Sequence, residues 1–414
     1  MADLLNVDTA LEQILAGIAP LDAETLALHN ALGRVLAADI VADVNIPPFP
    51  NSSMDGYAVR AADVAQVPTA LQLVMDIPAG SAPATPLLAG QAARIMTGAP
   101  LPAGADAIIP VENTDTRFVP GEESALPSQV TVLKTSKAGD YVRPVGEDFH
   151  AGHRLLAAGR VLRPQDIGVL AALGRALVPV IRQPRIVVLS SGDELLDAHE
   201  PLTPGKIHDV NGYTLAASVA QLGAIPLRLP TASDMLEAIR ALFHAALAQQ
   251  PNAIISSAGV SVGSFDLVRT VLAELGQVNF WKINLRPGKP LAFGMLQGVP
   301  FFGLPGNPVS ALVTFDVLVR PALLKMSGKP VSTPTALAVV AEPLRSDGRR
   351  SYLRVTLERQ GEKLVARSTG TQSSGALMSM VRADGLLIIP EDIYEVAAGT
   401  ELRVRLFKSL EEIV

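Results

Sequence analysis

The chain has 414 residues, 49% of them apolar and 18% charged, with a net charge of −6 and no cysteine. That length suggests two to four domains with ample material for packed cores, and the acidic balance argues against general nucleic-acid binding, which needs a basic surface. The missing cysteines exclude disulfides, thiolate zinc sites, iron–sulfur clusters and a cysteine nucleophile, whereas local Lys/Arg clusters leave an anionic ligand possible.

The first stretch, MADLLNVDTALEQILAGIAP, is acidic and amphipathic, with no basic leader pattern, and no uncharged apolar run reaches membrane-spanning length. A cytoplasmic protein is expected. Residues 7–40 show helical spacing at Val7, Leu11, Ile14 and Leu15, then at Leu28, Leu32 and Val35. Pro47, Pro48 and Pro50 interrupt the chain. From about 42 to 140 short strands such as LQLVMDI and QVTVLKT alternate with Gly/Pro turns, and 163–174 returns to helix. Between about 175 and 328, apolar strands alternate with helices, the rhythm of a parallel sheet covered by helices. In PLAFGMLQGVPFFG two short strands meet at a turn, and Asn307 and Pro308 suit the N-cap and first position of the helix that follows. From 329 onward SYLRVTLER and ELRVRLF alternate cleanly, which predicts a small β-barrel or sandwich. The fold class expected is α/β plus β, in four parts: 1–41 with 141–174, 42–140, 175–328 and 329–414.

Three loops of the α/β segment share one character. Ser190-Ser191-Gly192-Asp193-Glu194, residues 256–263 (SSAGVSVG) and Gly303–Pro308 each leave a strand through small residues, which let backbone N–H groups approach a ligand. Three such loops at strand carboxyl ends predict a pocket for a phosphorylated or otherwise anionic ligand. Asp193 and Glu194 read as helix-starting acids or as carboxylates for Mg²⁺ or for proton transfer, and Asp266 carries the same ambiguity. Asp209 and Asn211 read as turn or cap residues. Lys282, Arg286 and Lys289 in WKINLRPGKP, and Arg349, Arg350 and Arg354 in GRRSYLR, are two basic clusters; one or two of these read as solvated. In the strand-rich region Asp55 of MDG reads as a turn residue on spacing alone. His150 and His153 are too weak a pair to predict a metal site.

The ordered motifs MDGYAVR, RIMTGAPLPAGADAII, VRPVGED, SSGDEL, SSAGVSVGSFD, RPGKPLAFG and GLPGNPVSA together resemble the molybdopterin molybdenumtransferase family: bacterial MoeA and the E domain of proteins such as gephyrin. The resemblance covers most of the chain. It implies an elongated homodimer in which 175–328 is a MoaB/MogA-like three-layer α/β domain, 42–140 a β-rich insertion and 329–414 a small β-barrel. It implies an enzyme that, with Mg²⁺, takes adenylylated molybdopterin and molybdate and releases AMP and the molybdenum cofactor. Molybdenum would be held by the substrate's dithiolene sulfurs, which suits a protein without cysteines.

Carried over motif by motif, Asp55, Glu194 and Asp266 would organise Mg²⁺ and the scissile phosphates, with Lys282, Arg286 and Lys289 as oxyanion clamps. Substrate contacts would come from Thr97, Arg143, Asp148, Ser191, Gly192, Asp193, Asp234, Ser257, Gly259, Ser261, Gly263, Pro305, Gly306, Asn307 and Pro308. Lys289, Ser310, Arg349, Arg354 and Ser374 would form the molybdate shell. Ala258, Ser233, Arg286 and Ser351 depart from residues common in the family. Transient contact with a molybdopterin adenylyltransferase and with acceptor molybdoenzymes follows from the same resemblance, with no nucleic acid and no membrane. The alternatives are a non-catalytic cofactor carrier or scaffold, and an adenylyltransferase-like nucleotide enzyme.

Overall fold

The computed structural model describes residues 4–116, 126–257 and 265–413. Its centre is a six-stranded sheet. In chain order the unit comprises β1 (Arg185–Leu189), α1 (Val210–Gln221), β2 (Ile225–Arg228), α2 (Leu236–Ala248), β3 (Ala253–Ser256), α3 (Phe265–Leu275), β4 (Gly276–Lys282), β5 (Pro290–Leu296) and β6 (Val299–Gly303). Strands run in the order β2-β1-β3-β6-β5-β4; the first four are parallel, and β5 is antiparallel to both its neighbours. Gln297 and Gly298, both at positive φ, turn β5 into β6.

The near-continuous apolar runs of β1 and β3 are what a sheet covered on both faces requires. Ile186 and Val188 point to one core with Leu215 and Val219 of α1. Val187 and Leu189 point to the other, with Ile239 and Phe243 of α2 and Leu272 of α3. After β6 the helical segments Pro308–Thr314, Phe315–Val319 and Arg320–Met326 follow without a break, and together form α4. The middle segment is π-helical. Widening the turn there accommodates Pro321, which has no N–H to donate and would crowd a regular α-turn.

The expected helical run over 7–40 is replaced by one helix, Val7–Ala16, which buries Val7, Ala10 and Ile14 in the first core. Gly17 and Pro20 end it, and Ala23–Ala27 becomes a strand paired antiparallel with Leu177–Ile181. That partner lies far along the chain, so local spacing carries no trace of it.

In the insertion, a five-stranded sheet sets Gly56–Val59 between Gln91–Ile95 and Ala107–Pro110. Asp55 lies in a bend, as its spacing suggested, and the strand starts at Gly56, where a Cβ would meet the Ile109 carbonyl oxygen at 2.1 Å. At the other end of the chain, strands Arg350–Gln360, Lys363–Ser368, Thr335–Val340, Glu401–Leu406 and Gly385–Ile389 close into a barrel, because the last pairs again with the first. Leu353, Val355, Leu357 and Val404 fill it. Leu285–Arg286 pairs parallel with the start of the first barrel strand and joins barrel to α/β unit.

Candidate active site

The segment after β4 brings the two basic clusters together. Leu285 faces Arg350 and Arg286 faces Ser351 in that short parallel pairing. Behind it, Gly288 takes φ +115°, and a Cβ there would meet Thr314 Oγ1 at 2.3 Å. On the barrel side, the Val309 N–H donates to the Ser374 carbonyl at 3.0 Å, docking the 371–374 loop on the start of α4. The result is a cleft of about 280 Å³ lined by Arg286, Gly288, Lys289 and Ser310 from the α/β unit and by Arg349, Arg354, Gln372 and Ser374 from the barrel. Every residue expected in the molybdate shell, Lys289, Ser310, Arg349, Arg354 and Ser374, lines this one cleft.

Its charges are unbalanced. Arg354 is 1% exposed. Its guanidinium donates from Nε to Ser379 Oγ (3.1 Å) and from Nη2 to the Ser373 carbonyl (3.0 Å). No carboxylate pairs with it among the described residues. Burial, reinforced by Arg286, pushes its pKa down to about 10. Arg349 is held by Asp347 at 2.6 Å and donates to the Leu285 carbonyl at 3.0 Å. Asp347 also lies 3.9 Å from Arg286. Lys289 and Lys282 are exposed, and neither side chain has a hydrogen-bonding or ionic partner among the described residues. Lys282 does not line the cleft.

Around the carboxyl ends of β1 and β3 lies a second group. Ser190 and Ser257 are buried and their hydroxyls face each other at 3.2 Å. The Gly192 N–H donates to the Ala232 carbonyl at 3.1 Å, next to the Ser191–Ala232 bridge. Asp193 and Glu194 start no helix. Gly192, at φ +153°, turns the chain into a strap whose Leu195–Leu196 and Ile207–His208 pair with each other, and the next helix begins only at Val210. Asp193 accepts from the Asp234 N–H at 3.1 Å. Glu194 is exposed with no side-chain partner among the described residues.

Asp209 and Asn211 do more than the sequence suggested. Asp209 caps α1 through Gly212, and its second oxygen is buried without a hydrogen bond. Asn211 Nδ2 donates to the Gly306 carbonyl at 2.6 Å and fixes the Pro305–Gly306 turn. Asn307 occupies the N-cap position and Pro308 the first turn of α4, with no side-chain cap bond. Asp266 lies at the start of α3, and Gly259, Ser261 and Gly263 lie outside the described residues.

A third group belongs to the insertion. Asp55 Oδ1 accepts from the Thr97 N–H and hydroxyl at 2.7 and 2.8 Å. Pairing of Asn51 with Arg143 draws Arg143 to the same end, where it meets Glu147 at 3.7 Å. Asp148 is exposed nearby without a side-chain partner among the described residues. Among those residues, no hydrogen bond, ion pair or strand pairing links this group to the Glu194 loop, and no three His, Asp or Glu side chains cluster as a metal site.

Glycine-rich strand ends beside a cleft in which cations predominate, Lys289 and Arg354 having no carboxylate partner among the described residues, are the arrangement that suits an anionic ligand in a multidomain protein. Family models agree along the chain: the MoeA N-terminal region (domain I and II) matches residues 5–174, the probable molybdopterin binding domain 187–325, and the MoeA C-terminal region (domain IV) 338–407. Molybdopterin molybdenumtransferase 2 of Mycobacterium tuberculosis is 40% identical over 92% of this chain and 94% of its own. The Haemophilus influenzae molybdopterin molybdenumtransferase is 35% identical over 98% of this chain and all of its own. A crystal structure of a molybdopterin biosynthesis MoeA protein from Pyrococcus horikoshii superposes with a TM-score of 0.82 at 32% identity, covering 98% of this chain and 100% of that one. The chain belongs to the molybdopterin molybdenumtransferase family.

No described helix is long and apolar enough to cross a membrane.

Proposed function

We propose that this chain inserts molybdenum into molybdopterin: it takes adenylylated molybdopterin and molybdate and releases AMP and the molybdenum cofactor. The observation that carries the reading is Arg354, an arginine withdrawn from water in the cleft with no carboxylate partner among the described residues. A buried charge is costly until something opposite pairs with it. A tetrahedral dianion is the partner this cleft lacks, and the molybdenum in the names of the relatives supports molybdate as that dianion.

Lys289 and Arg286 would meet the oxyanion from the α/β side and Arg349 and Arg354 from the barrel. Ser310 and Ser374 add hydroxyl donors from either wall. Substrate phosphates would lie along the strand ends, where Gly306 is exposed and Asn211 holds its turn. The chemistry balances. Replacing one oxide of molybdate by a dithiolene uses two thiol protons and releases one water, and cleaving the phosphoanhydride to AMP consumes one.

The exposed carboxylate of Glu194 fits Mg²⁺, which is commonly held by one or two carboxylates together with substrate phosphates. When bound, the ion would neutralise charge on the scissile phosphates. Asp266 starts α3 at the same edge of the sheet, and Asp55, with Thr97, Arg143 and Asp148, would come from the insertion of a second copy. A cytoplasmic homodimer organised in the four parts set out above is therefore part of the proposal. An adenylyltransferase would supply its substrate and molybdoenzymes would accept its product.

The test is AMP release from adenylylated molybdopterin with Mg²⁺ and micromolar molybdate. Release should depend on molybdate and fall about 100-fold or more in Glu194→Gln. Tight substrate binding without AMP release under any oxyanion would overturn the reading in favour of a carrier.

A further inference from the structure

The two walls of the cationic cleft belong to different units, and a segment distant from them in sequence, near the start of the chain, ties them together. The Leu5 N–H donates to the Lys282 carbonyl and the Asn284 N–H donates back to the Leu5 carbonyl, both at 2.8 Å. Leu5 thus adds a short strand beside Ile283, in the segment that leads into Arg286 and Lys289. Three residues on, Asp8 receives two parallel bonds from Arg350, Nη1 at 2.6 Å and Nη2 at 2.7 Å. The same guanidinium lies 2.9 Å from Glu391, which also accepts from Asn6 at 3.1 Å. Arg350 is the immediate neighbour of Arg349, and its N–H donates to the Asn284 carbonyl at 3.1 Å. So residues 5–8 grip the strand leading to Arg286 with their backbone and the barrel strand leading to Arg354 with a side chain. Arg350 itself is turned away from the cleft, which it does not line.

We propose that the Leu5–Asp8 segment is a positioning element for the oxyanion cleft, with Asp8 and Glu391 acting through Arg350 to set the spacing between the cations of the α/β unit and those of the barrel. The inference rests on the oxyanion reading of the cleft. Exposed ion pairs usually contribute little, but a two-pronged guanidinium–carboxylate contact with a largely covered arginine is the geometry in which such a pair matters. Asp8 is 65% exposed in its side chain and Arg350 17%, so the aspartate can be changed without opening a core.

The experiment compares native protein with Asp8→Asn, Asp8→Glu and Lys289→Ala by molybdate-dependent AMP release and by thermal melting. Asp8→Asn should raise the KM for molybdate about three- to tenfold while kcat at saturating molybdate, the KM for adenylylated molybdopterin and the melting temperature stay near native values. Asp8→Glu, which keeps the charge, should restore much of the loss. If Asp8→Asn shifts every kinetic constant together or only lowers melting, residues 5–8 are structural alone and the inference is wrong. An unchanged molybdate KM in Asp8→Asn, with a raised one in Lys289→Ala, also defeats it. An unchanged molybdate KM in Lys289→Ala would instead remove the oxyanion reading beneath it.

Discussion

Two hollows flank the carboxyl edge of the α/β unit, and their size is a poor guide to their use. The one under the strap is the larger, about 640 Å³, lined by Gly192, Asp193, Asp197, His199, Lys206 and Arg228 among others. The one against the barrel is about 280 Å³. Under the strap, charge is already matched. Asp197 accepts from Tyr213 Oη at 2.5 Å, pairs with Arg228, and meets His199 at 3.2 Å. Arg228 also lies over the Tyr213 ring at 4.1 Å. Glu200 accepts from the Asp197 N–H, and the Lys206 ammonium donates to the Asp193 carbonyl. Glu194, close by, is the carboxylate left free for a ligand. Against the barrel, of the four cations Arg286, Lys289, Arg349 and Arg354 only Arg286 and Arg349 meet a carboxylate among the described residues, Asp347. Unmatched charge, rather than volume, singles out the cleft proposed here for an oxyanion.

The sharpest way to break the contrast is to add one methyl group on each side. At Gly288 a Cβ would strike Thr314 Oγ1 at 2.3 Å, approach Leu285 Cδ2 at 3.3 Å, and sit on a backbone with φ +115°. Thr314 is itself buried, so the loop carrying Lys289 must shift. Gly288→Ala should raise the molybdate KM about 100-fold, since misplacing a binding group by an ångström can have an effect of that order. At Gly192 the contact is the end of the Glu194 side chain at 2.7 Å, which is free to swing aside, and the strain of an alanine at φ +153° falls on the strap that carries Glu194, away from the cleft. Gly192→Ala should therefore spare the molybdate KM and lower kcat. Equal molybdate KM effects from the two variants would dissolve the distinction between the hollows.

A smaller effect is expected at Asp197. The Tyr213 hydroxyl, followed by Arg228, holds its carboxyl well below the ordinary value. A depressed folded pKa contributes stability that is present above the unfolded value near 3.8 and lost as pH falls below it. Asp197→Asn should melt about 2 °C lower near pH 7, with the difference closing as pH drops below about 4, and with the molybdate KM unchanged. A pH-independent difference, or a changed molybdate KM, would mean that the strap network reaches into the cleft.

How far the sequence reaches depends on how local each feature is. The hairpin at Gln297-Gly298, the helix beginning at Pro308 and the alternating barrel strands are written in adjacent residues, and the structure has them. The acids after Gly192 misled because carboxylates also favour helix starts; here the strap pairs with itself through Leu195–Leu196 and Ile207–His208. The strand Ala23–Ala27 was hidden because its partner is Leu177–Ile181. Within the basic cluster GRRSYLR, spacing could not tell solvated arginines from functional ones. The parallel pairing of Arg286 with Ser351 separates them by place: Arg349 and Arg354 line the cleft and Arg350 turns to Asp8 and Glu391. Ser351 is fully buried, with its hydroxyl donating to the Arg349 carbonyl at 3.0 Å. Gly288, Gln372 and Asp347 were missed as site residues, because only the docking of barrel on α/β unit brings them beside the cations.

The smallest predicted change is also the one with an unexpected sign. Asp347 is the cleft's own counter-ion, 2.6 Å from Arg349 and 3.9 Å from Arg286. Partial burial works to raise its pKa, but hydrogen bonds from Arg349 outweigh it, so the carboxyl stays ionised in any neutral assay. Asp347→Asn would raise the net charge facing an oxyanion by one unit and release part of two guanidinium groups. Against that, Arg349 would lose its anchor at Asp347 and keep only its bond to the Leu285 carbonyl at 3.0 Å. At the separations involved, through a partly solvated cleft, the charge gain is on the order of 1 kcal/mol, and the lost orientation offsets part of it. The molybdate KM should fall about two- to threefold, and the advantage should shrink as ionic strength rises and screening takes hold. A raised KM would show that Asp347 chiefly aims Arg349, and that the excess positive charge of the cleft is smaller than its four cations suggest.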